Sequence, residues 1–165
     1  MKVFVGTSGW MYSWNLENTL EWYIKNSGLN SIELNMSFYR FPFPNQIKSW
    51  ASKTQELNPS LRWSIKVNRL ITHVFKFNEK AFQLWKRFKS LFQPLEKNID
   101  FYLFQLPPSL TSKFSENVET FIEKTKLKEK FALEVRNKDW FKEKTIKWAS
   151  KLGITWVSVD SPDFP

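Results

Sequence analysis

The chain has no cysteine, a single histidine and four glycines among its 165 residues. Without cysteine there is no disulfide framework, no thiolate metal site and no cysteine nucleophile. One histidine excludes a multi-histidine zinc centre and restricts any Ser-His-Asp arrangement to His73. No uninterrupted apolar stretch approaches the ~18 residues of a membrane span. The N-terminus has neither the apolar segment nor the small-residue cleavage site of a signal peptide. These absences point to a cytoplasmic globular protein with no membrane partner, read as one domain over residues 1–165. The Gly6-Thr7-Ser8-Gly9-Trp10 string matches neither the Walker nor the GxGxxG spacing, so it reads first as a tight turn after the first strand.

Apolar and basic residues are abundant. The sequence is 42% hydrophobic and 18% aromatic, with nine Trp and sixteen Phe, which is too apolar for a disordered segment. It carries 25 Lys+Arg against 16 Asp+Glu, a formal net charge of +9. That surplus favours polyanions or acidic ligands without bearing on the fold. The lysines around Lys86–Lys89 and Lys124–Lys130 read as solvated helix faces.

Two hydrophobic rhythms alternate along the chain. β-rich runs occur at Lys2–Gly6, Ser31–Asn35, Arg62–Val67, Phe101–Leu106, Phe131–Arg136 and Thr155–Asp160. Helical stripes lie between them: Leu16, Leu20, Tyr23 and Ile24, closed by Gly28; Ile47 to Thr54 after Pro44; Ala81 to Phe92. Two more follow: Val118 to Ile122, with Ser115 as N-cap, and Thr145 to Leu152, closed by Gly153. A strand–helix unit every ~30 residues implies parallel strands with helices outside them. Within the strands, Ile32 and Leu34 oppose Glu33 and Asn35, and Trp63, Ile65 and Val67 oppose Ser64 and Lys66. Likewise Leu133 and Val135 oppose Glu134 and Arg136. A doubly wound sheet prefers strands apolar on both faces. One apolar face, with polarity gathered toward the C-terminal ends, fits a TIM-type (β/α) barrel instead. The expectation is an α/β barrel that is incomplete, with about six parallel strands and five helices, truncated after the sixth strand. A typical barrel needs ~250 residues.

The barrel reading places Glu33, Asn35, Arg40, Lys66, Arg69, His73, Gln105, Glu134, Arg136 and Asp160 at strand C-terminal ends or in the loops beyond. One interpretation is a polar cup in which Lys66 and Arg136 hold an anion while a carboxylate moves a proton. The other is a salt-bridge layer, Glu33 with Lys66 or Glu134 with Arg136. Aromatics gather in the same loops: Trp10, Tyr12, Trp14, Phe38, Tyr39, Phe41, Phe43, Trp140 and Phe141. Most are expected to pack; a minority would stack on a sugar or nucleobase.

The strings GTSGWMYSW (Gly6–Trp14), ELNMSFYRFP (Glu33–Pro42), Lys66 followed by Ile71-Thr72-His73, FQLPPSL (Phe104–Leu110), ALEVRNKDWF (Ala132–Phe141) and VDSPDFP (Val159–Pro165) occur in this order. Together they resemble the YecE-like family, a domain of unknown function (number 72). The resemblance spans essentially the whole chain and implies a TIM-type barrel of ordinary length, of which this chain would lack the C-terminal portion. It carries over Gly6, Trp10, Glu33, Asn35, Phe38, Tyr39, Arg40, Lys66, Thr72, His73, Gln105, Pro107, Pro108, Glu134, Arg136, Trp140 and Asp160. Ser37 stands where the family commonly has Thr. The family implies a fold and a site, with no established reaction.

The expectation is therefore an enzyme-like barrel that binds a small phosphate-, carboxylate- or sugar-type anion. Glu33, Glu134, His73 and Asp160 are the candidate catalytic groups. Gly6, Trp10, Asn35, Tyr39, Arg40, Lys66, Gln105, Arg136 and Trp140 are the candidate ligand contacts. The sequence requires no cofactor. A Mg²⁺ or Mn²⁺ ion on Glu33, Glu134 and Asp160 is the metal option, and zinc is disfavoured. Two alternatives stand beside this reading: a nucleic-acid-binding or phosphodiester-hydrolysing protein, and an inactive truncated barrel that self-associates through its open edges.

Overall fold

Strand-length runs of alternating polarity and helix-length apolar stripes fold as their periods dictate. The computed structural model describes residues 2–160. The order is β1 (Gly6–Ser8), α1 (Leu20–Asn26), β2 (Ser31–Leu34), α2 (Pro44–Leu57), β3 (Arg62–Lys66), α3 (Glu79–Leu91), β4 (Ile99–Gln105), α4 (Ser115–Thr125), β5 (Phe131–Glu134), α5 (Glu143–Leu152) and β6 (Thr155–Trp156). The alternating α/β class expected from the sequence is the one present. Among the described residues no helix is long and apolar enough to cross a membrane. The chain divides into two compact units: Met1–Lys66 with Arg87–Asp100, and Val67–Lys86 with Phe101–Pro165.

In the first unit β1, β2 and β3 pair in parallel, with Ser8 opposite Glu33 and Leu34 opposite Ile65. Ile32, Leu34, Trp63 and Ile65 are fully buried, whereas Glu33, Ser64 and Lys66 are only partly so. Each fully buried aliphatic or aromatic side chain contributes about 1.5–3 kcal/mol of transfer free energy. Trp10, Trp50 and Trp63 pack together, with centroids 5.6–6.3 Å apart. The buried Tyr23 ties α1 to the sheet, its hydroxyl donating to Ser31 O (2.7 Å). Arg62 forms a two-point contact with Asp100, which holds the guanidinium above its ordinary pKa through that hydrogen bond. The first strand starts later than the Lys2–Gly6 run suggests. A Cβ on Gly6 would lie 2.2 Å from Ser31 O, so glycine is what lets the two backbones approach there. Val3, Phe4 and Val5 stay exposed, although Asn30 bonds to the backbone of Val3 and Val5. Leu16 is 81% exposed and outside α1, because Asn18 adopts a left-handed φ of 53° and Thr19 caps the helix through Trp22 N.

In the second unit β4, β5 and β6 pair in parallel, with Gln105 opposite Glu134 and Leu133 opposite Trp156. Phe104 stacks on Phe131 at 3.9 Å and meets Phe121 and Trp85. All four residues of β5 are buried, Glu134 included. Ser115 opens α4 as its first residue rather than capping it, because a 3₁₀ turn over Ser112–Phe114 leads directly into the helix. β6 is shorter than the Thr155–Asp160 run: Val157 N still bonds Leu133 O, and ladder pairing stops there. Gly153 ends α5 at φ 65°, as its position after the apolar stripe predicts.

Candidate functional site

Parallel pairing brings successive strand C-terminal ends level within each unit. In the first unit, Glu33 at the end of β2 accepts a hydrogen bond from Ser8 Oγ at the end of β1 (2.9 Å). Among the described residues no ion pair joins Glu33 to Lys66. Lys66 Nζ instead lies 5.1 Å from the centre of the Phe38 ring, a cation–π contact. Ser37 Oγ lies 2.7 Å from Leu34 O and 2.6 Å from Lys66 O, and so fixes the ends of β2 and β3 together.

A cleft of about 310 Å³ opens above these ends, with Gly9, Trp10, Met11, Asn35, Met36 and Tyr39 on its walls. Gly9 has a φ of 91°, a conformation that favours glycine, and its N–H donates to Glu33 O. Asn35 sits at the N-cap of the 3₁₀ turn Met36–Phe38, but its side chain makes no capping bond. Its Oδ1 is buried without a hydrogen-bond partner. Tyr39 and Arg40 are both exposed, Tyr39 at 67%. Gly6 lies within β1 against β2, a placement that the sheet itself requires.

In the second unit the C-terminal ends of β4 and β5 hold a buried carboxylate. Glu134 is 5% exposed. Gln105 Nε2 donates to its Oε1 (2.8 Å), and Arg136 Nε and a terminal guanidinium nitrogen close on the same oxygen. This is the Glu134–Arg136 pair that the sequence allowed, with Gln105 added by the β4–β5 register. Three donors on one oxygen suit a fixed anionic carboxylate. A divalent cation there would have to displace a guanidinium. Among the described residues no three His, Asp or Glu side chains gather closely enough to hold a metal ion.

His73 lies on a π-helical turn, Leu70–Val74, with its Nδ1 2.8 Å from Thr72 Oγ1. Single π turns recur at functional sites. Asp160 is exposed. Residues 161–165 of the VDSPDFP string lie outside the described residues.

Trp140 is 1% exposed, and its indole N–H donates to Leu110 O (2.6 Å), so it braces the loop after β4. Three further contacts, absent from the sequence reading, do the same. Asn137 Nδ2 donates to Pro108 O (2.6 Å), Ser112 N donates to Asp139 Oδ2 (2.9 Å), and Ser112 Oγ reaches the same oxygen. Lys142 also pairs with Asp139. The Lys142 and Ser112 hydrogen bonds hold the Asp139 carboxyl far below its ordinary value. Their signal was the NKDW string itself, where Asn137 caps a 3₁₀ turn by accepting from Asp139 N.

The geometry can be set beside known proteins. Among curated proteins none matches. A crystal structure of a DUF72 family protein from Thermotoga maritima is similar at a TM-score of 0.76 and 25% identity. That match covers 98% of this chain and 66% of that one. A DUF72 family protein from Enterococcus faecalis matches in two crystal structures, each 17% identical, with TM-scores of 0.68 and 0.76. These cover 95% and 96% of this chain and 62% and 61% of theirs, and they speak to the fold alone. The chain thus spans less than two thirds of these relatives' length, and their structures are TIM-barrel-like. The family described as "Protein of unknown function DUF72" matches residues 4–165. The chain belongs to this DUF72 family, the same family as the YecE-like proteins its motifs resemble.

Proposed function

We propose that the C-terminal ends of β4 and β5 form an acid–base centre for a small anionic ligand of phosphate, carboxylate or sugar type. The observation that carries this reading is the convergence of Gln105 and Arg136 on Oε1 of the buried Glu134. Arginine presents five N–H donors in a fixed fork. Nε and one terminal nitrogen face Glu134, which leaves the other terminal nitrogen for an incoming anion. As the ligand draws on the guanidinium, Glu134 loses part of its counter-charge and becomes a better proton acceptor. Gln105 is the positioning residue that keeps the carboxylate in place. His73, on the π-helical turn of the same unit, is the candidate for a second proton carrier or a ligand contact. Glu33, whose carboxylate accepts the Ser8 hydroxyl bond described above, offers the same chemistry in the first unit.

Inorganic phosphate and acetate, titrated calorimetrically, test the reading. Wild type should bind one of them in the millimolar range, and Arg136→Met should weaken that binding about tenfold or more, roughly 1.4 kcal/mol. Glu134→Gln should remove one ionisation from the pH dependence of binding. An Arg136→Met protein that binds as well as wild type would falsify the assignment.

A second reading is favoured by the first unit's exposed aromatics. Tyr12 and Trp14 stack 5.4 Å apart at 6°, and Trp14, Tyr39, Phe43 and Arg40 are exposed. Such a surface suits single-stranded nucleic acid. Binding of an oligonucleotide should then fall steeply with salt, and salt-insensitive or absent binding sinks it. The exposed Val3-Phe4-Val5 run further supports pairing with a second copy of this chain. Phe4→Lys should lower the mass measured by light scattering, and an unchanged monomer mass in wild type would exclude the pairing.

A further inference from the structure

The first-unit cleft is built for a different chemistry from the carboxylate–arginine centre. Among the described residues no lysine or arginine lines it, so they offer nothing to neutralise an anion there. Trp10 and Tyr39 offer ring faces, and Met11 and Met36 offer polarisable, adaptable apolar surface. Its volume of about 310 Å³ falls at the lower end of the range of small-ligand pockets, ~300–1,000 Å³.

Asn35 gives the cleft its polarity. The carboxamide oxygens of Asn30, Asn58, Asn68, Asn78 and Asn137 accept backbone N–H groups, and that of Asn98 accepts from Gln55. Two are buried without a donor, those of Asn15 and Asn35, and of the two residues Asn35 is the one that lines the cleft. Asn35 holds an N-cap position, where an asparagine side chain ordinarily accepts from the following turn. It does not, and its Oδ1 is buried with no donor. A buried acceptor without a donor costs free energy in the empty protein and regains it when a donor arrives.

We propose that this cleft binds an uncharged ring that turns an apolar face to Trp10 and Tyr39 and hydrogen-bonds to the Asn35 carboxamide. A sugar ring and a nucleoside base share that chemistry. The site is independent of the anion centre, and either can stand without the other.

Saturation-transfer NMR on the full chain separates the two sources, with D-glucose and methyl glucoside as one set of probes and adenosine and uridine as the other. One set should show transfer from wild type. Asn35→Leu should weaken it about tenfold or more, the loss of a buried hydrogen bond. Arg136→Met should leave it unchanged. Asn35→Leu should also melt no lower than wild type, since the acceptor has no partner to lose. Tyr39→Ala, at an exposed position, is the variant that tests ring stacking without risk to folding. It should weaken binding about fivefold with an unchanged Tm. Absence of transfer from all four probes at tens of millimolar would overturn the proposal. So would transfer indifferent to both variants, or a clear drop in the Tm of Asn35→Leu. Phosphate binding that responds to Arg136→Met while all ring probes fail would remove this site and leave the anion centre standing.

Discussion

The two units treat their strand-end carboxylates in opposite ways. Glu33 is partly exposed and accepts one hydroxyl hydrogen bond, from Ser8. Glu134 is buried and held by a guanidinium and an amide. The surroundings follow the same division. The first unit surrounds its strand ends with an indole triad, an open cleft and an acceptor without a donor. The second closes over a stacked phenyl core and ties its β4 and β5 loops together. The difference teaches that an identical strand–helix plan can prepare a fixed charge in one place and an accessible surface in another. Electrostatic catalysis favours the first condition, and ring recognition favours the second.

The contrast can be broken or sharpened by substitution. The largest effect should come from Phe104→Ala, which empties the centre of the phenyl cluster. A loss of about 3–5 kcal/mol is expected by urea denaturation. Gly6→Ala should cost about 1–3 kcal/mol or more by the same measurement, because a Cβ there meets the Ser31 carbonyl. Next comes the paired test of the carboxylates. Arg136→Met should cost about 1–2 kcal/mol, a value reduced for the guanidinium's partial exposure, whereas Ser8→Ala should cost less than about 0.5 kcal/mol. Equal costs would erase the distinction between the units.

The smallest effect concerns acid. The folded-state pKa of Asp139 is depressed by Lys142 and Ser112 below its ordinary 3.8. Its stabilisation is therefore complete above about pH 4 and declines as pH falls toward the folded value. The protection of the Ser112 amide against hydrogen exchange, taken relative to the intrinsic rate at each pH, should fall below pH 4 in wild type and show no such acid step in Asp139→Asn.

Much of this was legible in the sequence, and the failures have physical causes. Period-two alternation located β2 and β3, and apolar stripes located α2, α3 and α5, since each such face must be buried against a neighbour. β1 was misplaced because Val3, Phe4 and Val5 have strong strand propensity, while close backbone approach begins only at Gly6. Leu16 matched the helical spacing by chance, as a left-handed Asn18 separates it from α1. At the site, the Glu134–Arg136 pair was readable at two residues' separation. The Ser8–Glu33 bond and the Ser112–Asp139 brace join residues 25 and 27 positions apart, which no local pattern reveals. That Trp140 braces the loop after β4 is seen in its burial and its indole bond to Leu110, neither of which its place in the sequence reveals.

The braces from Asn137, Asp139 and Trp140 to the Pro108–Ser112 stretch have a practical consequence. The two loops behave as one transplantable module. Anyone recombining this scaffold with a relative, or randomising the β4 loop to seek new specificity, would have to carry both loops across in the same graft, because either half alone arrives without its counterpart.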